Sequence, residues 1–155
     1  MSSSNDRGPG VKVPPPLIFI TVSLLCYLLE RLYPLPFLTE ELSLLKIGSY
    51  ALVAFGLSVI FMSVFSFLRH KTHIEPWKPA SALLTSGVFA YSRNPIYLGF
   101  ILLVCGAALY LNTLWLLLGL LPSIWLLLIL VIYKEELYLE QKFGGAYVDY
   151  KKRVR

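Results

Sequence analysis

The chain has 155 residues, enough for one domain, and 57% of them are hydrophobic, against the 45–50% usual for water-soluble domains. With a mean hydropathy of +0.68, a chain this short has too little interior to hide its Leu, Ile, Val and Phe from water, so the composition excludes an ordinary soluble fold. The net charge of +5 is clustered at segment ends with no basic face interleaved with aromatics, which points to an anionic leaflet and away from nucleic acid.

Residues 1–16 are rich in Ser, Gly and Pro without apolar periodicity and are expected to form a disordered tail, not a signal peptide. A first span is expected over Leu17–Leu32, between Pro14-Pro15-Pro16 and Pro34/Pro36, with Glu30 and Arg31 reaching the headgroups. A second runs from Leu44 to Phe67, and residues 17–68 form an N-terminal pair of helices. A third is expected over Ile96–Leu111 and a fourth over Leu114–Tyr133, with Pro122 inside it. Asn112-Thr113 is the only break between these two, so they form a tight hairpin. The fold class is therefore all-α: an integral membrane helical bundle of about four transmembrane helices followed by a C-terminal cytosolic helix. Cys26 and Cys105 fall inside apolar runs and read as free buried thiols; no metal site is expected.

Basic residues set the orientation. Arg7 and Lys12 precede the first span. Arg69, Lys71, Lys78 and Arg93 lie between the second and third. Lys134, Lys142, Lys151, Lys152, Arg153 and Arg155 follow the fourth, leaving only Arg31 and Lys46 on the other side. With four spans, this places both termini in the cytosol. Tyr110 and Trp115 suit the outer interface, and Trp77 the inner one. The spare loops lean towards a bacterial inner membrane.

Two segments meet at the cytosolic end of the hairpin. In Ser92-Arg93-Asn94-Pro95-Ile96-Tyr97-Leu98-Gly99, Asn94 suits an N-cap and Pro95 the first helical position, so the third helix presents its N-terminus, with Arg93 beside it, to an anion. Tyr97 lies one turn inside, and Gly99 permits close approach of a ligand or a helix. At the end of the fourth span, Lys134-Glu135-Glu136 places two acids at the membrane boundary, where acids are functional candidates; the plain alternative is a solvated helix end with Glu136 and Glu140 on one face. An anion site and a cation site at the two ends of one hairpin suit a zwitterion such as the methionine end of S-adenosylmethionine, although other amino-acid-like ligands share that chemistry.

The stretch Leu83–Gly99, with its Arg93-Asn94-Pro95-x-Tyr97-x-Gly99 core, and the stretch Glu135-Glu136 followed by Phe143-Gly144-Gly145-Ala146-Tyr147-Val148-Asp149-Tyr150 resemble the two signatures of the isoprenylcysteine carboxyl methyltransferase family, which also includes phospholipid and small-thiol methyltransferases. The resemblance covers residues 69–155 as a catalytic core. It implies S-adenosylmethionine as cofactor, S-adenosylhomocysteine as product, and a lipophilic or small methyl acceptor, prenylcysteine-carboxylate-like, that enters from the bilayer. Carried over by position, Ser81 to Leu84, including Leu83, and Phe89, Asn94, Pro95, Tyr97 and Gly99 would line the cofactor. Glu135 would hold its ammonium group, and Arg93, Asn94, Tyr97 and Glu136 would shape the catalytic floor. Asn94 stands where the family commonly has His, Val88 where it has Pro, and Val131 where the eukaryotic prenylcysteine enzymes carry a substrate-binding Arg. Phospholipid N-methylation and thiol S-methylation are the alternatives on the same scaffold. A nicotinamide-dependent membrane reductase would need larger loops, and a non-catalytic scaffold would not need Glu135 or Arg93. His70 and His73 read as interfacial.

Overall fold

A computed structural model describes residues 8–38 and 43–154; the tail residues 1–7, with Arg7, and Arg155 lie outside the described residues. The described chain is helical, with no strand. Helix α1 spans Pro15–Leu32, α2 Ser43–Arg69, α3 Pro95–Tyr110, α4 Leu114–Leu127, α5 Tyr133–Phe143 and α6 Gly145–Arg153. A 3-10 turn occupies Gly87–Ala90, and a π turn, Leu128–Ile132, joins α4 to α5 without a break.

Three helical stretches are long and apolar enough to cross a membrane: Pro15–Leu32, Leu45–Arg69 and the continuous Leu114–Phe143. At 16 residues, α3 reaches about 24 Å and falls short of the usual 30 Å hydrocarbon core. The last helix also runs ten residues beyond the expected end at Tyr133, so its acidic segment continues the span through the π turn. Side chains on the outer faces, such as Ile20, Phe61, Leu121 and Trp125, are more than half exposed, a surface suited to lipid.

Helices pack in the order α2, α3, α4, α1. The α2–α3 contact rests on small residues: a Cβ on Gly56 would lie 3.0 Å from the Gly99 carbonyl oxygen, and one on Gly106 2.7 Å from Val53 Cγ2. Close backbone approach of this kind supplies the dispersion contacts that hold helices together in lipid. Buried Ser63 and Ser123 donate to their own helices' carbonyls, Val59 O and Gly119 O, so neither hydroxyl is left unsatisfied. At the far end, Asn112 turns the hairpin at φ +50°. Its side chain accepts from the Phe37 and Leu38 amides. Glu30 accepts from Thr113 Oγ1 at 2.5 Å and from the Leu35 amide at 3.1 Å. That clasp fixes the hairpin and leaves its opposite end to carry the site.

Residues 8–14 do not behave as the expected disordered tail. They run outside regular structure along the motif-bearing end, and Val11 is only 3% exposed.

Candidate active site

The motif-bearing end holds a cavity of about 410 Å³ enclosed by the start of α1, the end of α2, the loop 73–84, the 3-10 turn, the start of α3, and α5 and α6. Its volume suits a single small ligand. Sequence supplies each wall for a local reason. Pro95 opens α3 and ends the preceding loop. On α5, residues four and seven beyond Val131, which is fully buried, face the same way, so Glu135 and Tyr138 turn inward together. Glu136 and Glu140 turn towards α6. Gly144, at φ +54° and ψ −130°, takes a backbone conformation that essentially only glycine adopts and folds α6 back over the cavity.

The two adjacent acids have different partners. Tyr97 Oη donates to both oxygens of Glu135, at 3.0 and 3.1 Å. Among the described residues no cation lies within ion-pair distance of Glu135. Glu136, by contrast, is paired twice, with Arg93 Nη1 at 2.6 Å and Lys151 Nζ at 3.1 Å, and Lys151 also reaches Glu140 at 2.7 Å. The Arg93–Glu136 contact is a charge pair rather than an aligned hydrogen bond. Nε of Arg93 is buried with no acceptor among the described residues. The site thus holds a carboxylate without a cationic partner and, on the buried Arg93 side chain beside it, a guanidinium nitrogen without an acceptor among the described residues, charges of the two signs that a zwitterion carries in reverse.

Aromatic side chains complete the walls. Tyr150 Oη donates to the Phe89 carbonyl at 2.7 Å, tying α6 to the 3-10 turn, while Phe67 meets Phe89 edge-on at 5.5 Å. Tyr138 Oη accepts from the Ala80 amide at 3.1 Å. Burial pushes the Tyr147 phenol up to about 12, with the negative charge of Glu136 adding and Arg93 opposing. Burial and the neighbouring Tyr147 do the same to Tyr150, also to about 12. Both remain neutral over the physiological range.

Of the residues singled out in the sequence, Leu83, Leu84 and Phe89, then Arg93, Asn94, Pro95 and Tyr97, then Glu135 and Glu136, line this one cavity. Two do not. Ser81 is exposed, its amide donating to Thr72 Oγ1 at 2.8 Å, and its neighbours Ala80 and Ala82 take the wall instead. Gly99 faces α2, where an added Cβ would overlap the Ile60 side chain; of its two sequence readings, the geometry is that of helix approach. Asn94 occupies the cap position of α3, but its side chain makes no capping bond, which leaves the first-turn amides of α3 without a side-chain cap. Sequence reasoning missed Phe67, Trp77 and Tyr138, and passed over Tyr147 and Tyr150 although both stand in the second motif at the i, i+3 spacing of one helical face. It also missed the prolines ahead of α1, for which no local pattern exists.

No solved structure significantly matches the chain. It is 32% identical over 120 residues to the protein-S-isoprenylcysteine O-methyltransferase of Schizosaccharomyces pombe, a match covering 75% of this chain and 47% of that protein. The chain therefore spans about half the length of that relative. The family model described as phospholipid methyltransferase matches residues 45–146, a stretch from the start of α2 into α6 that holds both acids, Arg93 and the whole hairpin. A chain so matched, with an all-helical membrane bundle and a cavity at the motif-bearing end, belongs to the phospholipid methyltransferase family.

Proposed function

We propose that this chain is an S-adenosylmethionine-dependent methyltransferase acting on a lipophilic acceptor at the membrane surface. The carrying observation is Glu135, a partly buried carboxylate held by one neutral phenol with no cationic partner among the described residues. Such a group is costly unless a ligand cation completes it. In this reading Glu135 receives the ammonium of the donor's amino-acid end, and the Arg93 guanidinium, with the uncapped α3 amides, receives its carboxylate. Bound there, S-adenosylmethionine supplies a methyl group already activated on a positively charged sulfur. The protein's own part is positioning and water exclusion. Tyr97 orients Glu135, Glu136 fixes Arg93, and Phe89, Tyr138, Tyr147 and Tyr150 form the dry walls.

A second, open crevice adjoins the cavity. It is lined by the apolar Leu128, Ile129 and Ile132 of the π turn together with Tyr133, and ends on Arg93, Asn94 and Glu136. An apolar flank ending on a polar floor suits an acceptor with a lipid body and a small polar head. The preferred acceptor is a carboxylate, prenylcysteine-like. A carboxylate oxygen is already anionic and would take the methyl group from the donor's sulfur, which would keep the bonding pair, without shedding a proton, so the site's own residues would only have to hold it in line. Phospholipid amines and thiols are the competing acceptors, and each must shed a proton. In the membrane, the basic end faces the cytosol with α3 counted as a fourth, shorter span, a reading supported by the distribution of Lys and Arg.

The test is calorimetric titration of the detergent-solubilised chain with S-adenosylhomocysteine, followed by labelled-methyl transfer to prenylcysteine, phosphatidylethanolamine and a lipophilic thiol. Micromolar binding and transfer to the carboxylate are expected. Absence of binding by folded protein would refute the donor site, and transfer to the amine alone would refute the acceptor assignment.

A further inference from the structure

The segment ahead of α1 is a wall of the cavity. Gly8 lies on the backbone of the loop 73–84: a Cβ built on it would overlap the Trp77 carbonyl oxygen, and would sit 2.6 Å from the Trp77 carbonyl carbon and 2.8 Å from that of Lys78. No side chain fits there without displacing backbone. Val11 is 3% exposed and belongs to the apolar cluster that contains Tyr97, the residue whose hydroxyl holds Glu135. Pro9 and Pro14 to Pro16 line the cavity itself. The chain from Gly8 to Pro14 therefore spans the cavity mouth from the start of α1 to Trp77.

What holds it there is slight. Among the described residues no hydrogen bond anchors residues 8–13. The attachments are buried Val11, the partly buried Val13 and Pro9, and one close glycine approach, and a segment held by so few apolar contacts and no hydrogen bond opens locally long before the bundle unfolds. Its prolines limit the conformations the free segment visits, so redocking costs little entropy.

We propose that Gly8–Pro14 is a strap that closes the donor cavity, with Gly8 as its catch on Trp77, and that donor or product exchanges by strap release. The inference rests on the donor site proposed above. Two events that share a wall stabilise each other reciprocally: an occupied cavity holds the strap down, and a docked strap slows exit. Lys12, exposed on the strap, offers a reporter, because trypsin needs several residues of undocked chain to cleave there.

The experiment uses the full chain in detergent, with S-adenosylhomocysteine as probe. Gly8→Leu is expected to weaken its binding about tenfold, chiefly through faster dissociation, while the thermal midpoint of the ligand-free bundle stays unchanged. In the wild type, saturating probe is expected to slow cleavage after Lys12 about tenfold. Val11→Ser, which leaves the catch intact but loosens the strap, is expected to shift both readouts in the same direction. If the wild type binds the probe but Gly8→Leu binds it equally well and cleavage after Lys12 ignores it, the strap is not a gate. If the wild type does not bind the probe at all, the donor site itself falls and takes the strap with it.

Discussion

Replacing Glu135 with Gln removes one negative charge while keeping the side chain's shape and its ability to accept the Tyr97 hydroxyl. In the wild-type structure that carboxylate accepts from a single neutral donor at 3.0 and 3.1 Å, so it incurs a desolvation cost with no opposite charge to offset it. Relief of that cost makes the variant more stable without ligand by about 1 kcal/mol. Binding moves the other way. Losing a hydrogen-bonded charge pair with the donor's ammonium costs about 3 kcal/mol, roughly 100-fold in Kd. The neighbouring Glu136→Gln change gives the opposite pattern. It leaves Arg93 without its ion-pair partner and Lys151 with Glu140 alone and costs about 2 kcal/mol of stability, with a smaller loss of affinity. Calorimetric titration with S-adenosylhomocysteine and thermal unfolding in the same detergent read both quantities. A Glu135→Gln protein that is destabilised yet binds normally would refute the reasoning, because Glu135 would then be part of the scaffold.

The remaining predictions concern the walls. Tyr150→Phe leaves the Phe89 carbonyl without its donor and should cost about 1–2 kcal/mol, seen as faster proteolysis of the loop 73–84. Gly99→Leu forces a side chain against Ile60 at the α2 interface and should cost about 3 kcal/mol, read as loss of a monodisperse peak in size-exclusion chromatography, with Gly99→Ala milder. The raised Tyr147 and Tyr150 phenols make the fold alkali-sensitive. Their stabilising effect is complete below the ordinary tyrosine value of 10 and is lost as pH climbs towards about 12, since the unfolded chain releases those protons first. Ultraviolet tyrosinate titration should show late phenols, and Tyr147→Phe should remove one of them and shrink the stability change by about 2 kcal/mol.

Much of the fold is legible in the sequence because lipid imposes a blunt requirement. Apolar runs must be helical, and Pro14–Pro16, Asn112-Thr113 and the acidic pair mark where they start and stop. The helix observed at Pro15–Leu32 lies within two residues of the run read from the sequence. Packing against distant segments is another matter. Val11 stands among Pro, Gly and Lys, and nothing within ten positions of it says that it will be buried in one cluster with Tyr97, Leu127 and Val131. The π turn is equally silent, since Leu128–Ile132 looks like any other apolar stretch. The joining of Glu135 to Tyr97 and of Glu136 to Arg93 also needs three dimensions. The two acids are neighbours in sequence, but a helix turns them about 100° apart, one towards α3 and one towards α6.

That division bears on which acceptor the site can serve. A nucleophile that arrives protonated needs a base, and the cavity's ionisable groups are nearly all committed. Glu136 is held by two cations, and the Tyr147 and Tyr150 phenols stay protonated far above neutrality. In this reading Glu135 is occupied by the donor. Of the lining residues only His73, exposed at the rim, carries an imidazole, the side chain that most often serves as a general base. A carboxylate acceptor is indifferent to His73, whereas an amine acceptor depends on it. Hence His73→Ala should leave methyl transfer to a lipophilic carboxylate within about twofold of wild type, against a loss of 10²–10⁴ where a general base is removed. Retained carboxylate transfer in His73→Ala, with a rate flat from pH 6.5 to about 8.5, supports the anionic acceptor. A rate that rises through the histidine range and collapses in the variant would show that the acceptor arrives with a proton to lose.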